Sequence, residues 1–349
     1  MTILSQKQQL GTTDLSVPPI IFGTSCLGNL YQEVPYETKL AIAGEWFKYV
    51  EKPVVLDSAG KYGAGLALEM IGKTLGELGV QSDQVIISNK LGWKRVPLKG
   101  PEPTFEPGAW FGIAHDGEQH ISYEGILKCY QQGCELLGSQ YSPAVVSVHD
   151  PDEYLGGKAD PDERNKRFRH VVGAYQALHE LKAQGCVKAV GVGAKDWTVI
   201  RELADAVELD WVMFACSLTV YTHPSELIRF MEELNRRNVG IINSAVFNAG
   251  FLIGGGYFDY RKPDPKRDAD LFGWRDRFLS LCKKHDVRPA TACVQFGISP
   301  PGVISVALNS SKPQRIRENV ELVSTAIPAE FWIAAKDAGL IDKNYPYLG

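Results

Sequence analysis

Four polar side chains stand where one proton-transfer site could be built. Asp57 follows the apolar run Val54-Val55-Leu56, and Lys90 follows Val85-Ile86-Ile87-Ser88-Asn89. His149 follows Ala144-Val145-Val146-Ser147-Val148, and Tyr62 comes shortly after Asp57, just before Gly63. A free tyrosine has a pKa of about 10 and is a poor base at neutral pH. A neighbouring ammonium favours the phenolate and lowers that value, and Lys90 is the cation on offer. Asp57 would pair with Lys90 and hold it, while His149 would orient and polarise a substrate oxygen. Singly, each residue has a plainer reading: an Asp that caps a helix, a solvated loop lysine, a structural histidine. Ordered at the ends of successive strands, the four point to acid–base chemistry centred on Tyr62.

Such a site needs parallel neighbouring strands, and the chain supplies the pattern. Short apolar runs that read as strands occur at Ile20-Ile21-Phe22, at the Asp57, Lys90 and His149 runs, and at Val187 to Ala194. Three more lie at Trp211 to Leu218, Val239 to Phe247 and Val303 to Leu308. Helical spacing falls between them, with Leu68, Ile71, Leu75 and Leu78 three or four apart, and Phe168, Val171, Val172, Tyr175, Leu178 and Leu181 marking another helix. Eight strands alternating with eight helices predict an α/β fold closed into a (β/α)8 TIM barrel. Leu10 to Leu15 reads as an N-terminal hairpin. Residues 93 to 121 read as a long inserted loop after the third strand, aperiodic and rich in aromatics. A polar loop is expected from Asp150 to Asn165. No Ser/Gly-rich linker divides the chain, so residues 1–349 are expected to form a single domain.

Composition narrows the partners. A formal net charge of -4 leaves no basic footprint for nucleic acid and favours small molecules. No run of about eighteen apolar residues suggests a membrane span, and Met1 to Leu15 lacks the apolar core of a signal peptide. The seven cysteines are scattered without metal or redox spacing. Reduced thiols, a cytoplasmic location and no metal are therefore expected. Oligomeric state is not legible.

With these residues in hand, the chain resembles an aldo-keto reductase along nearly its whole length. The resemblance rests on Leu56-Asp57-Ser58-Ala59 with Tyr62-Gly63, on Lys90, on His149-Asp150, and on Ser310-Ser311-Lys312-Pro313-Gln314-Arg315-Ile316-Arg317-Glu318-Asn319. The long insertion and Ile242 to Gly250 resemble the aldose dehydrogenases, which act on L-fucose, L-galactose and D-threo-aldoses, with pyridoxal dehydrogenase a near relative. The resemblance implies Asp57, Tyr62, Lys90 and His149 as the catalytic set and NAD or NADP as cofactor. It implies cofactor contacts at Gly23, Thr24, Ser244, Phe247, Asn248, Gly250, Asn309, Ser310, Ser311, Arg315 and Asn319.

Ser311 to Gln314 has the form of a capping box with proline in the first turn, so a helix N-terminus suited to phosphate is expected there. Arg315 and Asn319 would contact adenosine. Asn309 replaces the lysine that usually grips an NADP phosphate, which favours NAD or dual use. Gly193-Ala194 and Ser244 depart from the groups that usually hold the nicotinamide ring, and Phe247 or Trp197 is expected to supply the packing. No GxGxxG follows a strand, so a Rossmann domain is not supported. Trp93, Trp110, Phe111, His115 and Asp116 are candidates to cover the barrel mouth and, with His149, meet a sugar or aldehyde. The expected reaction is oxidation of an aldose at C1 to the lactone. A carbonyl reductase or pyridoxal dehydrogenase is the alternative within the family. Outside it stand a Schiff-base aldolase using Lys90 and a non-catalytic nicotinamide-binding module.

Overall fold

A computed structural model of the chain describes residues 4–156, 160–259 and 261–349. The tip of the expected polar loop, residues 157–159, and the first three residues lie outside them. The strands run β1 Gln8–Gln9, β2 Ser16–Val17, β3 Ile20–Gly23, β4 Val54–Ala59, β5 Val85–Leu91, β6 Trp93–Pro97, β7 His115–Gln119, β8 Val145–His149, β9 Ala189–Ala194, β10 Trp211–Ala215, β11 Gly240–Ser244 and β12 Val303–Leu308. β1 and β2 form the expected N-terminal hairpin. β3, β4, β5, β8, β9, β10, β11 and β12 pair in parallel and close into a barrel.

The helices are α1 Tyr36–Tyr49, α2 Leu66–Glu77, α3 Tyr123–Leu137, α4 Pro151–Gly156, α5 Pro161–Ala183, α6 Trp197–Ala206, α7 Ser225–Arg236, α8 Ala269–Lys284, α9 Pro289–Gly297, α10 Gln314–Ser324 and α11 Ala329–Asp337. α4, α9 and α11 add to the eight expected. The polar loop is largely helical, because Asp160 caps α5 by accepting from the amides of Asp162 and Glu163, with Pro161 in the first turn. The polar residues before Phe168 hid that start. The expected seventh strand stops at Ser244 because Ala245, Asn248 and Ala249 have positive φ and turn the chain away.

Strand parity explains how the site is placed. Side chains alternate between the faces of a strand. Val54, Leu56, Val85 and Ile87 join the apolar layer under the helices, whereas Val55, Ile86 and Val145 pack inside the barrel with Trp211, Met213, Ile242 and Ile304. Asp57 has the parity of Val55, Lys90 that of Ile86, and His149 that of Val145. All three therefore face the interior at the C-terminal end, where barrels of this class carry their functional groups. The far end is closed by Leu10, Leu15 and Val17 of the hairpin. Gly191 leaves the space that the Trp211 ring fills, since a Cβ there would lie 2.4 Å from the indole.

The inserted segment is not aperiodic coil. β6 and β7 pair antiparallel, from Trp93 with Gln119 to Pro97 with His115. Their sequences are polar and short, so alternation gave no strand signal. Another close approach fixes the Tyr62 turn. A Cβ on Gly28 would lie 2.7 Å from the Tyr62 carbonyl carbon, and one on Gly63 would lie 2.4 Å from the Gly28 oxygen. Gly28→Ala should therefore destabilise the fold by about 1–3 kcal/mol through overpacking. Its urea midpoint should fall accordingly. An unchanged midpoint would mean that the two turns can separate without cost.

Candidate active site

The strand ends bring Asp57, Tyr62, Lys90 and His149 together. Lys90 makes a buried ion pair with Asp57, and its ammonium lies 4.8 Å from the centre of the Tyr62 ring. The imidazole of His149 meets that ring edge-on at 5.7 Å. β4 and β5 each run past the point expected from the sequence, so that Asp57 pairs with Ser88 and Ala59 with Lys90. Lys90 stands two residues above Asp57 and reaches back to it. Gly193 on β9 makes room, because a Cβ there would lie 3.0 Å from the Lys90 Cδ.

Electrostatics refine the expected roles. Burial raises the Tyr62 pKa, Lys90 pulls it down, and the carboxylate of Asp57 opposes Lys90. The net direction is upward, which corrects the expectation of a lowered value: burial outweighs the lysine, whose field Asp57 also partly offsets. Burial works against the charge of Lys90, but Asp57 and then Tyr62 outweigh it and raise the pKa of the ammonium. Burial, then Lys90 and Lys61, hold His149 well below its usual value, so its ring is neutral at neutral pH. Nδ1 of His149 is buried without a hydrogen-bond partner among the described residues, and Nε2 lies 3.6 Å from Oδ2 of Asp150. Placing the proton on Nε2 gives it the better environment.

A second buried lysine sits beside the first. Lys61 is 2% exposed. Its ammonium contacts Glu106 at 2.7 Å and both Asp150 and Glu153 at 2.8 Å, and it lies 4.8 Å from the Trp93 ring centre. Burial alone would lower its pKa, but the three carboxylates raise it. Nothing in the sequence reading singled out Lys61, Glu106 or Glu153. The only signal was a lysine lodged between Asp57 and Tyr62.

These groups border a cavity of about 770 Å³, within the range of small-molecule sites. Of the candidate cofactor contacts, Gly23, Thr24, Ser244, Phe247, Gly250, Asn309, Ser310, Ser311, Arg315 and Asn319 line it, as do Arg288 and Lys312. Asn248 does not; it is buried and donates to Asp259 at 3.0 Å. Trp197 packs on Phe230 instead, so of the two aromatics expected to pack the nicotinamide it is Phe247 that borders the cavity. Trp110 lines the cavity and sits 6.0 Å from Tyr62, whereas Trp93 is buried against Phe105. Asp116 accepts from the amides of Thr104 and Gly117, a structural role, and Phe111 is 42% exposed.

The expected capping box does not form. α10 starts at Gln314 with no side-chain cap, because Ser310 rather than Ser311 bonds the turn, accepting from the Lys312 amide at 3.1 Å. Asn309 donates to Ser25 at 2.9 Å. Arg288, Lys312 and Arg315 make no ion pairs among the described residues, so three cations border this part of the cavity where one was expected. An uncapped helix start beside free cations fits the phosphates of a dinucleotide. Among the described residues no cluster of His, Cys, Asp or Glu is arranged to hold a metal, and no helix is long and apolar enough to cross a membrane.

Comparison with known proteins agrees with this architecture. The pyridoxal 4-dehydrogenase of Microbacterium luteolum is 27% identical, over 97% of this chain and 98% of that one. The D-threo-aldose 1-dehydrogenase of a Pseudomonas species is 25% identical over the same shares. An aldo-keto reductase from Bacillus halodurans, solved in its holo form, superposes with a TM-score of 0.67 at 20% identity, over 97% of this chain and 96% of its own, and shows the fold. Residues 19–338 match the Aldo/keto reductase family, a family of nicotinamide-dependent oxidoreductases, and the chain belongs to it.

Proposed function

We propose that the chain is an NAD(P)-dependent dehydrogenase that oxidises an aldose at C1 to its lactone, with Tyr62 as the acid–base. The observation that carries this reading is the placement of Tyr62 between the Lys90–Asp57 pair and a neutral His149, on the wall of a cavity that also holds the α10 start. The relatives named as dehydrogenases of D-threo-aldose and pyridoxal support oxidation as the direction.

A nicotinamide dinucleotide held along the cavity by residues such as Ser310, Arg315 and Asn319 would supply the hydride acceptor for C1. Tyr62 takes the proton of the anomeric hydroxyl, and Lys90 stabilises the phenolate that does so. Asp57 keeps Lys90 charged and aimed. His149 donates through Nε2 to the substrate oxygen and holds it beside the phenol. Trp110 offers an apolar face to the C–H side of a sugar. The Schiff-base alternative needs an uncharged amine. Asp57 and Tyr62 raise the pKa of Lys90, which works against it.

Arg315, Lys312 and Arg288 would meet the adenosine end of the cofactor. With Asn309 engaged by Ser25, none of these cations is the usual buried lysine, and all three are exposed. NAD is therefore used at least as well as NADP.

Three measurements test this reading. Tyr62→Phe should keep cofactor binding and lose turnover of a responsive sugar by about 10²–10⁴-fold. Near-normal turnover at saturating cofactor would remove Tyr62 from the mechanism. Lys90→Met should move the rise of the oxidation rate to higher pH. The sign follows from the charges: losing the ammonium removes the one strong influence that lowers the Tyr62 pKa, so more alkali is needed to form the base. A slower enzyme with an unchanged pH profile would show that Lys90 positions rather than tunes.

Cofactor choice is read from kcat/KM for NAD and NADP. A charge-assisted hydrogen bond is worth about 1.5–3 kcal/mol, so Asn309→Lys should shift preference toward NADP by about ten- to a hundredfold or more, with little change in turnover. A strong NADP preference in the wild type that Lys312→Ala abolishes would show that Lys312 already replaces the missing charge.

A further inference from the structure

We infer that Asp150 determines specificity in this site: its carboxylate accepts a hydrogen bond from a hydroxyl on the carbon next to the reacting one, and Lys61 is the positioning residue that holds it there. This rests on the reading of Tyr62 and His149 given above and names the substrate class more closely, a 2-hydroxy carbonyl compound or the sugar derived from it.

Asp150 immediately follows His149, and its φ of 47° puts it in the left-handed region, which Asp tolerates better than most residues. The backbone there is fixed on both sides. Its amide donates to the Gly193 carbonyl at 2.9 Å, and its carbonyl accepts from Glu153 at 3.1 Å. The residue is 6% exposed yet borders the cavity. Oδ2 accepts from Lys61 at 2.8 Å and lies 3.6 Å from Nε2 of His149. Oδ1 accepts no hydrogen bond among the described residues.

That geometry sets an acceptor beside a donor. The 3.6 Å gap between Nε2 and Oδ2 is too long for the two side chains to bond one another, so the imidazole N–H and the carboxylate's unoccupied Oδ1 are left side by side for a ligand. His149 donates to the oxygen on the reacting carbon, and Asp150 accepts from the hydroxyl on the next. An ionised carboxylate can only accept, so a neighbouring hydroxyl satisfies it and a bare C–H leaves it unpaired. Lys61 serves this arrangement by neutralising the carboxylate without occupying both oxygens. Glu106 and Glu153 complete its shell and keep the ammonium from swinging into the cavity.

The test is reduction of glyceraldehyde and of 3-hydroxypropanal with NADH, which differ only at the position that Asp150 is assigned to read. Wild-type enzyme should favour glyceraldehyde in kcat/KM. Asp150→Asn should lower the glyceraldehyde value by about ten- to a hundredfold more than it lowers the 3-hydroxypropanal value. Lys61→Met should compress the same ratio in the same direction, and it keeps the test open should the Asn variant not fold. Equal loss on both aldehydes would make Asp150 merely structural and overturn the assignment, as would a wild type that does not discriminate. If no aldose is oxidised but glyceraldehyde remains preferred through Asp150, lactone formation is excluded and the assignment stands. If neither aldehyde is reduced, both fall.

Discussion

The structure depends on one buried ion pair. Lys90 and Asp57 sit in the barrel interior at 2% and 3% exposure, where either charge alone would be expensive. Together they can remain charged, and everything around them maintains that state. β4 and β5 are in register to set the two residues within reach. β9 contributes a glycine at the one place where a side chain would press on the lysine stem. Tyr62 reaches the pair from a turn held by glycine-to-backbone contact with the segment after β3. The proposed acid–base thus owes its position to backbone packing, and the one cation that opposes the rise in its pKa is itself already partnered.

A second charge system lies alongside. Lys61 and Tyr62 are adjacent in sequence but serve different groups: the phenol turns toward Lys90, the ammonium toward Asp150, Glu106 and Glu153. Lys195 adds a further contact to Glu153 at 2.8 Å. Around Tyr62 the wall is therefore a patchwork of compensated charges, unlike the end of the cavity bordered by Arg288, Lys312 and Arg315. Such a wall suits the neutral, hydroxylated substrate proposed above better than an ionic one. Positive φ values at Asp150, Cys216, Ala245 and Asp259 gather at the same rim. Backbone held in unfavourable regions commonly marks a site whose shape is imposed by its surroundings.

Much of this was legible in the residues. The barrel followed from short apolar runs alternating with helical spacing, and the meeting of Asp57, Lys90 and His149 followed from their places at the ends of successive strands read as parallel neighbours. What escaped notice did so for physical reasons. β6 mixes apolar and polar residues on each face and β7 has only Gly117 among polar residues, so neither carries an alternation. The start of α5 lies in a charged stretch whose helicity rests on a cap and a proline rather than on an apolar stripe. Ser311 had the form of a cap, but its neighbour made the bond. The direction of the Tyr62 shift also could not be read, because the burial that dominates it is a property of the folded whole. Lys61 looked like any loop lysine until three carboxylates from distant parts of the chain converged on it.

Glu106 ties the inserted hairpin to this centre. One carboxylate oxygen accepts from the Trp110 indole at 2.8 Å, and the other contacts Lys61 at 2.7 Å. The ring that lines the cavity and the cation that holds Asp150 thus share one tether. The hairpin is accordingly not an interchangeable lid. Grafting a relative's segment onto this barrel would alter the wall facing the ligand and, at a stroke, the charge balance behind His149. A change made in the hairpin to alter the ligand wall is therefore also a change to the charges around Lys61.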